Sequence, residues 1–250
     1  SSLRSFRIFA SEKGNTMAKI LCIETSTEVC SVAVTENGHV CTYLEDLGGQ
    51  SHSTLLTVFI DKLATNGHEI SSFDAVAISE GPGSYTGLRI GTSVAKGLCF
   101  GAGIKLISIS PLAAMASHVT NHTEKYGLDL SETDLLVPMI DARRMEVYTS
   151  VFDKELNTIT PVEALVIDES SFESLADNSR LILFGNGANK CKPVLISSSF
   201  VYIDDIYTSA QHMAILAQQV YNKSIFADVA YFEPFYLKEF IATVPKNKVL

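Results

Sequence analysis

The chain has 250 residues, of which 46% are hydrophobic and 19% are charged, a composition typical of globular proteins with a substantial core. Its formal net charge is −9. A chain this acidic repels phosphate backbones, so we do not expect it to bind nucleic acid strongly on its own. The apolar segment around residues 97–119 is interrupted by Gly101, Gly103 and Pro111, which argues against a membrane span.

The first half predicts three strands, a helix, a strand, a second helix and a further strand. "KILCIETS", "CSVAVTEN" and "HVCTYLED" are the first three strands, and the Asn37-Gly38 pair between the last two indicates a tight hairpin. "SHSTLLTVFIDKLATNG" predicts a helix that begins with Ser51 or Ser53 as its cap. This half ends with a strand, "FDAVAISE", then a glycine-rich turn that leads into the second helix, and a last strand, "KLISISP".

The second half repeats part of this pattern. "DLLVPMIDARRMEVYTSVFD" predicts two strands around a turn, "ALVIDESSFESLA" a strand and a helix, and "LILFGNGANK" a strand that ends in a glycine turn. "TSAQHMAILAQQVYNK" predicts an amphipathic helix. We therefore predict a duplicated α/β protein with one domain over residues 17–115 and another over 116–224. Residues 1–16 are expected to be an extension before a natural start at Met17, and a C-terminal helix within 225–250 is an optional addition to the first domain.

Five cysteines, Cys22, Cys30, Cys41, Cys99 and Cys191, include no CxxC pair. Three of them lie in apolar strand-like runs, where cysteine is more often a small core residue than a ligand or half of a disulfide. This pattern favours a reducing compartment.

The second helix carries small residues on one face. Gly87, Gly91 and Ala95 recur every four residues, and each helical glycine costs about 1 kcal/mol relative to alanine. Such a face predicts the close approach of another segment, and the sequence leaves open whether that segment belongs to this chain or to a partner protein. The preceding glycines are not followed by the Lys-Ser/Thr pair of a P-loop, so we interpret them as a tight strand-to-helix turn.

His118 and His122 are four residues apart, as two metal ligands on one helical face would be. No third ligand lies nearby in the sequence, so we interpret both as surface histidines. No serine lies in a GxSxG context, and no cysteine has a nearby histidine and acid; we find no catalytic nucleophile.

Four motifs, "CIETSTEVCSVAV", "GPGSYTGLRIGTSVAKGL", "IDARRMEVY" and "FEPFYLKEF", resemble the TsaB (YeaZ) family from Met17 to about Leu237. Members of this family are non-catalytic paralogues of the transferase TsaD in the synthesis of threonylcarbamoyladenosine in tRNA. The resemblance implies an actin-like (ASKHA) fold of two ribonuclease-H-like, mixed-sheet subdomains. It also implies a cytoplasmic protein that forms a heterodimer with TsaD and recruits the ATPase TsaE.

The resemblance further implies which residues contact the partner protein and which positions no longer bind a nucleotide or a metal. The implied interface on the first two helices consists of His52, Leu55, Leu56, Phe59, Thr86, Gly87, Leu88, Arg89, Gly91, Thr92, Ala95 and Lys96. The implied remnants of a nucleotide site are Glu24, Thr25, Ser26, Gly185 and Gly187. Pro111 and Met115 stand where TsaD has its two metal-binding histidines, so neither a metal nor a catalytic residue is expected.

Three alternatives follow from the same residues. The chain would be an active ATP-dependent transferase or an M22-type metallopeptidase if it held a metal or a nucleotide. It would be a free-standing homodimer if the second helix paired with itself. ATP at the heterodimer junction has only weak support, because a glutamate leads the first turn where related folds use aspartate.

Overall fold

A computed structural model describes residues 17–49 and 51–238, and both the predicted extension 1–16 and residues 239–250 lie outside this range. The fold contains two five-stranded mixed sheets. The strands of the first sheet are β1 Lys19–Glu24, β2 Cys30–Glu36, β3 His39–Asp46, β4 Ala75–Ser79 and β5 Lys105–Ile109. Those of the second are β6 Leu135–Asp141, β7 Glu146–Phe152, β8 Thr158–Val166, β9 Leu181–Phe184 and β10 Phe200–Ile203.

The two sheets have the same topology, which confirms the predicted duplication. Their strand orders are β3-β2-β1-β4-β5 and, read from the other edge, β8-β7-β6-β9-β10. In each sheet the first three strands form antiparallel pairs, and the last two extend the first strand in parallel. The protein therefore has a duplicated actin-like α/β fold.

Six α-helices in the described part of the chain cover the faces of these sheets. They are α1 His52–Thr65, α2 Tyr85–Ala102, α3 Pro111–Asn121, α4 Glu173–Ala176, α5 Ala188–Cys191 and α6 Ala214–Asn222. Helices α1 and α2 pack on one face of the first sheet, and α6 packs on its other face. Helix α3 contributes Leu112, Met115 and Val119 to one core of the second sheet, whose other face carries α4 and α5.

The described structure differs from the predicted domain division in its helices. The boundary predicted between residues 115 and 116 falls inside α3. Helix α6, assigned by its position to the second domain, packs through Ala217 on the core of the first sheet. Residues 225–238 contain no helix, so the optional C-terminal helix is wrong over this range. They run instead as an irregular segment, tied to β5 where Ala227 pairs with Leu106.

Several local predictions need correction. The predicted elements leave out α3, β10 and residues 158–163 of β8, although Ser110 and Pro111 supply a cap and a first-turn proline for α3. Ser51 precedes α1, but its hydroxyl bonds Ser53 and caps no backbone group of the helix. In residues 17–49 and 51–238, no helix has the length and apolar character needed to cross a lipid bilayer.

Candidate functional site

The glycine face of α2 packs on this chain's own β1–β2 turn. A Cβ at Gly87 would lie 2.0 Å from the carbonyl oxygen of Thr25, and one at Gly91 would lie 2.3 Å from the Thr25 hydroxyl. Both distances are far inside van der Waals contact, so only glycine lets the helix approach this closely. The Thr25 hydroxyl also donates to the Gly87 carbonyl, at 2.9 Å. The neighbour that the small residues accommodate is therefore internal.

This packing corrects the expectation that the small face meets a partner. Seven of the twelve implied interface residues are buried within the chain: Leu56, Phe59, Gly87, Leu88, Gly91, Thr92 and Ala95. Three more make internal hydrogen bonds: His52 with the carbonyl of Val29, Lys96 with the carbonyls of Ala230 and Phe232, and Arg89 with the hydroxyl of Tyr236. Leu55 and Thr86 remain as implied interface residues.

The outer side of α1 and α2 exposes apolar residues that the sequence analysis did not select. Phe100 is 86% exposed and Val58 is 41% exposed. An added Cβ at Gly97 would meet nothing within 4 Å, so this position is open as well. Ile90 and Val94 are half-buried and pack against the core of the first sheet. Helical spacing alone does not distinguish the buried side of α2 from the exposed one, and burial in the structure does.

The turn after β1 is filled by its own glutamate. Glu24, Thr25 and Ser26 are fully buried, and the Glu24 carboxyl accepts a hydrogen bond of 2.6 Å from the backbone N–H of Ser26. The carbonyl of Ser26 accepts a 2.6 Å bond from the N–H of Ser84. Burial raises the pKa of Glu24, although the bonds from Ser26 oppose that shift. The backbone N–H of Ser26, which could otherwise donate to a phosphate, is thus already bonded to the carboxyl group of Glu24.

The second glycine turn is also occupied by the chain itself. A Cβ at Gly185 would lie 2.2 Å from the carbonyl oxygen of Met139, and one at Gly187 would lie 2.9 Å from the carbonyl carbon of Ile140. Between them, the Asn186 amide donates to Glu28, at 3.1 Å, and so links the two halves. The turn joins β9 to the end of β6 and resembles the contact of α2 with the end of β1.

Comparison with protein-family models matches residues 45–245 to the model described as "TsaD: tRNA N6-adenosine threonylcarbamoyltransferase". Among curated proteins, the tRNA threonylcarbamoyladenosine biosynthesis protein TsaB of Escherichia coli is 30% identical over 90% of this chain and 96% of its own length. The chain belongs to the TsaB family. The TsaB protein of Haemophilus influenzae is 39% identical over a shorter match, which spans 54% of each protein.

Solved structures agree with this family fold. "YeaZ from Pseudomonas aeruginosa" superposes with a TM-score of 0.74 at 24% identity, covering 88% of this chain and all of that one. A second structure from the same organism, described as an uncharacterized protein with similarity to peptidase YEAZ, gives a TM-score of 0.75 at 24% identity and covers 89% of this chain.

In this TsaB-family chain, His118 of α3 stacks with His122 and His212, an arrangement that the sequence did not predict. The ring of His118 lies 3.8 Å from that of His212 and 4.4 Å from that of His122, measured between centroids. Burial lowers the pKa of His118 to about 4, and the neighbouring His122 adds to the shift. Since the His118 side chain is half-buried, the interpretation of it as a surface histidine is wrong, whereas His122 is exposed. Within the described ranges, no three His, Cys, Asp or Glu side chains converge on a metal position.

Proposed function

We propose that this chain is a non-catalytic subunit of the machinery that forms threonylcarbamoyladenosine in tRNA. In this proposal it binds the transferase TsaD through the outer face of α1 and α2, and the pair recruits the ATPase TsaE in the cytoplasm. The name shared by its relatives, tRNA threonylcarbamoyladenosine biosynthesis protein TsaB, supports the pathway. The turn after β1 supports a non-catalytic role, since the backbone N–H of Ser26 and the hydroxyl of Thr25 are already bonded within the chain.

The exposed apolar face carries the docking part of the proposal. Phe100 has 86% of its surface exposed on a long, otherwise well-packed helix, and large exposed apolar groups on rigid elements commonly mark protein interfaces. Beside it, a groove of about 590 Å³ runs between Gly97 and residues 228–230. An aromatic side chain next to an apolar groove has the character of an interface hot spot.

The nature of the partner follows from the paralogy. The match to the TsaD family model extends over most of this chain, so TsaD is expected to carry equivalent helices on its own first sheet. Two related surfaces can then pair about a pseudo-twofold axis, as identical surfaces do in dimers. The same reasoning permits a homodimer of this chain in the absence of TsaD.

The test is the substitution Phe100→Asp, with Ile196→Asp as the matched control. Ile196 is 81% exposed and belongs to neither helix, so both variants place a charge on an exposed apolar position. We expect Phe100→Asp to weaken the complex with the cognate TsaD at least about tenfold, because burying an unpaired charge in an interface is costly. Ile196→Asp should bind like the parent chain.

Affinity is measured by analytical ultracentrifugation of the purified chain mixed with its cognate TsaD. Thermal unfolding of each variant alone shows whether the fold is unchanged. The docking proposal fails if Phe100→Asp, folded like the parent chain, binds TsaD with unchanged affinity. The homodimer is favoured instead if, in the mixture, this chain pairs with a second copy of itself and TsaD stays unbound. In that case Phe100→Asp should disrupt the pair of identical chains.

A further inference from the structure

A polar pocket lies beside the stacked histidines, where the two halves of the chain meet. Its volume is about 220 Å³, and it is enclosed by the β2–β3 hairpin, helix α3 and the chain at the start of α6. Four histidines line it: His39, His118, His122 and His212. The chain has six histidines in all, so this pocket gathers most of the side chains that gain a proton near neutral pH.

The described residues that line this pocket include no charged side chain to balance an imidazolium group. The nearest charge that acts on the rings of His118 and His212 is itself positive, on Lys125 in the short turn after α3. The titratable groups that face the stacked rings are His122, Lys125, Tyr126, Tyr207 and His39. Although the chain has a net charge of −9, an anion that enters here meets no opposing carboxylate from these residues.

The hydrogen bond of His122 fixes which of its nitrogens carries a proton. Its Nδ1 atom lies 2.8 Å from the carbonyl oxygen of His118, and because a carbonyl oxygen accepts, Nδ1 must be the donor. In the neutral ring the other nitrogen, Nε2, then holds a lone pair and cannot donate. It becomes a donor only when the ring gains a proton. An anion that is bound by this ring therefore brings a proton with it.

His212 leaves hydrogen-bonding capacity unused inside the protein. Its side chain is 8% exposed, and its Nδ1 atom has no hydrogen-bond partner among the described residues. A buried polar atom without a partner calls for an explanation, such as a bound ion or water. Gln211 lines the same pocket, and an amide side chain adds a neutral donor for an oxyanion.

We propose that this pocket binds a small oxyanion, a carboxylate or a phosphate, together with one proton that its histidines take up. The anion supplies the counter-charge that the lining lacks, and an imidazolium group donates charge-assisted hydrogen bonds to its oxygens. One proton is expected, because two imidazolium rings stacked 3.8 Å apart, as His118 and His212 are, would repel each other. A metal cation fits less well, since no three His, Cys, Asp or Glu side chains of the described ranges converge on one position. The inference does not depend on docking by α1 and α2.

Binding of the anion should become tighter as the pH falls. In the protein without an anion, burial lowers the pKa of His118 to about 4 and that of His212 well below 6.5, and neighbouring imidazoles add to both shifts. A bound anion raises these pKa values again, because it stabilises the imidazolium form. Between the pKa of the free protein and that of the complex, uptake of one proton raises the affinity about tenfold for each unit by which the pH falls.

The decisive variant is His122→Gln. Because His122 is exposed, the substitution should leave the fold intact, and glutamine cannot become a cation. We expect it to weaken anion binding at about pH 5.5 at least about tenfold, since it removes a hydrogen bond from a charged group. His118→Gln, which removes the middle ring of the stack, should have the same effect. The matched control is His68→Gln, which removes an imidazole outside the pocket and should bind like the parent chain.

Binding to the full chain is measured by calorimetry with inorganic phosphate, citrate and acetate. The titrations are made at about pH 5.5, 6.5 and 7.5, with the ionic strength held constant by sodium chloride. Repeating them in buffers of different ionisation enthalpy gives the number of protons taken up, and we expect about one. Thermal unfolding of each variant shows whether the fold is unchanged, and an anion that binds should raise Tm more at the lower pH.

The relative affinities separate the two sources of the anion. If the ligand is a phosphate, inorganic phosphate binds more tightly than citrate or acetate, and if the ligand is a carboxylate, this order is reversed. The proposal is overturned if no anion binds more tightly than chloride, or if the affinity does not change with pH. It is also overturned if His122→Gln, folded like the parent chain, keeps the parent affinity, or if His68→Gln weakens binding by the same factor.

Discussion

Two glycines of α2 offer a direct test of which side of this helix faces the chain's own core. Gly87 faces Thr25, and an added Cβ would lie 2.0 Å from its carbonyl oxygen, well short of the 3.4 Å at which ordinary contact begins. Gly97 lies in the same helix, and an added Cβ there meets nothing within 4 Å. Alanine should therefore have opposite effects on stability at the two positions.

The magnitudes follow from three contributions. Forcing a methyl group into a packed site costs about 1–3 kcal/mol, and losing the hydrogen bond between Thr25 and Gly87 costs about 1 kcal/mol. Alanine returns about 1 kcal/mol through its higher helix propensity. Gly87→Ala should thus lower the free energy of unfolding by about 1–3 kcal/mol. Gly97→Ala receives only the propensity gain and should raise it by about 0.5–1 kcal/mol.

The assay is urea unfolding followed by circular dichroism, with thermal unfolding as a second measure. For a chain of this size, each kcal/mol corresponds to a change of about 2–4 °C in Tm. Measurements at several protein concentrations separate folding from association, since association makes Tm depend on concentration. A Gly87→Ala variant at least as stable as the parent chain would refute the packing of α2 on the β1–β2 turn.

Two further predictions concern buried ionisable groups. Burial raises the pKa of Glu24 above the ordinary value of 4.5, so the folded chain keeps the carboxyl proton to a higher pH than the unfolded chain does. The free energy of unfolding should therefore fall as the pH rises from 4.5 through the pKa of the folded state. Glu24→Gln, followed by urea unfolding between pH 4 and 8, should lose this part of the pH dependence; an unchanged profile would contradict the burial argument. The pKa of His118 is lowered from 6.5 to about 4 in the folded chain, so stability should fall as the pH drops from 6.5 towards 4. His118→Gln should make this fall less steep in the same urea titrations. Equal slopes for the variant and the parent chain would show that His118 is accessible to protons in the folded protein.

Much of the fold could be predicted from local sequence signals. Asn37-Gly38 marked a hairpin, continuous apolar runs marked the buried strands, and the repeated pattern predicted two similar halves. The helices that exchange between the halves could not be predicted in this way. The segment containing α3 is apolar on nearly every side because it packs between the two sheets, so it has no amphipathic stripe to read.

The site was less accessible to sequence reasoning, for a geometric reason. Helical spacing shows that Gly87 and Gly91 share a face, but it does not say what that face contacts. The residue that fills the space is Thr25, more than sixty positions earlier, and only the sheet brings it there.

The duplication itself explains why the glycines are poor markers of a partner. In the first half, a Cβ at Gly83 would lie 2.2 Å from the Ser26 carbonyl oxygen at the end of β1; in the second half, Gly185 meets Met139 near the end of β6 at the same distance. Both halves thus use glycine to pack a strand-to-helix turn on the central strand of their sheet. The second half does so without a long glycine-faced helix. Close approach to the central strand is therefore a property of the repeated unit, and what remains specific to the first half is the outer face with Phe100 and Val58.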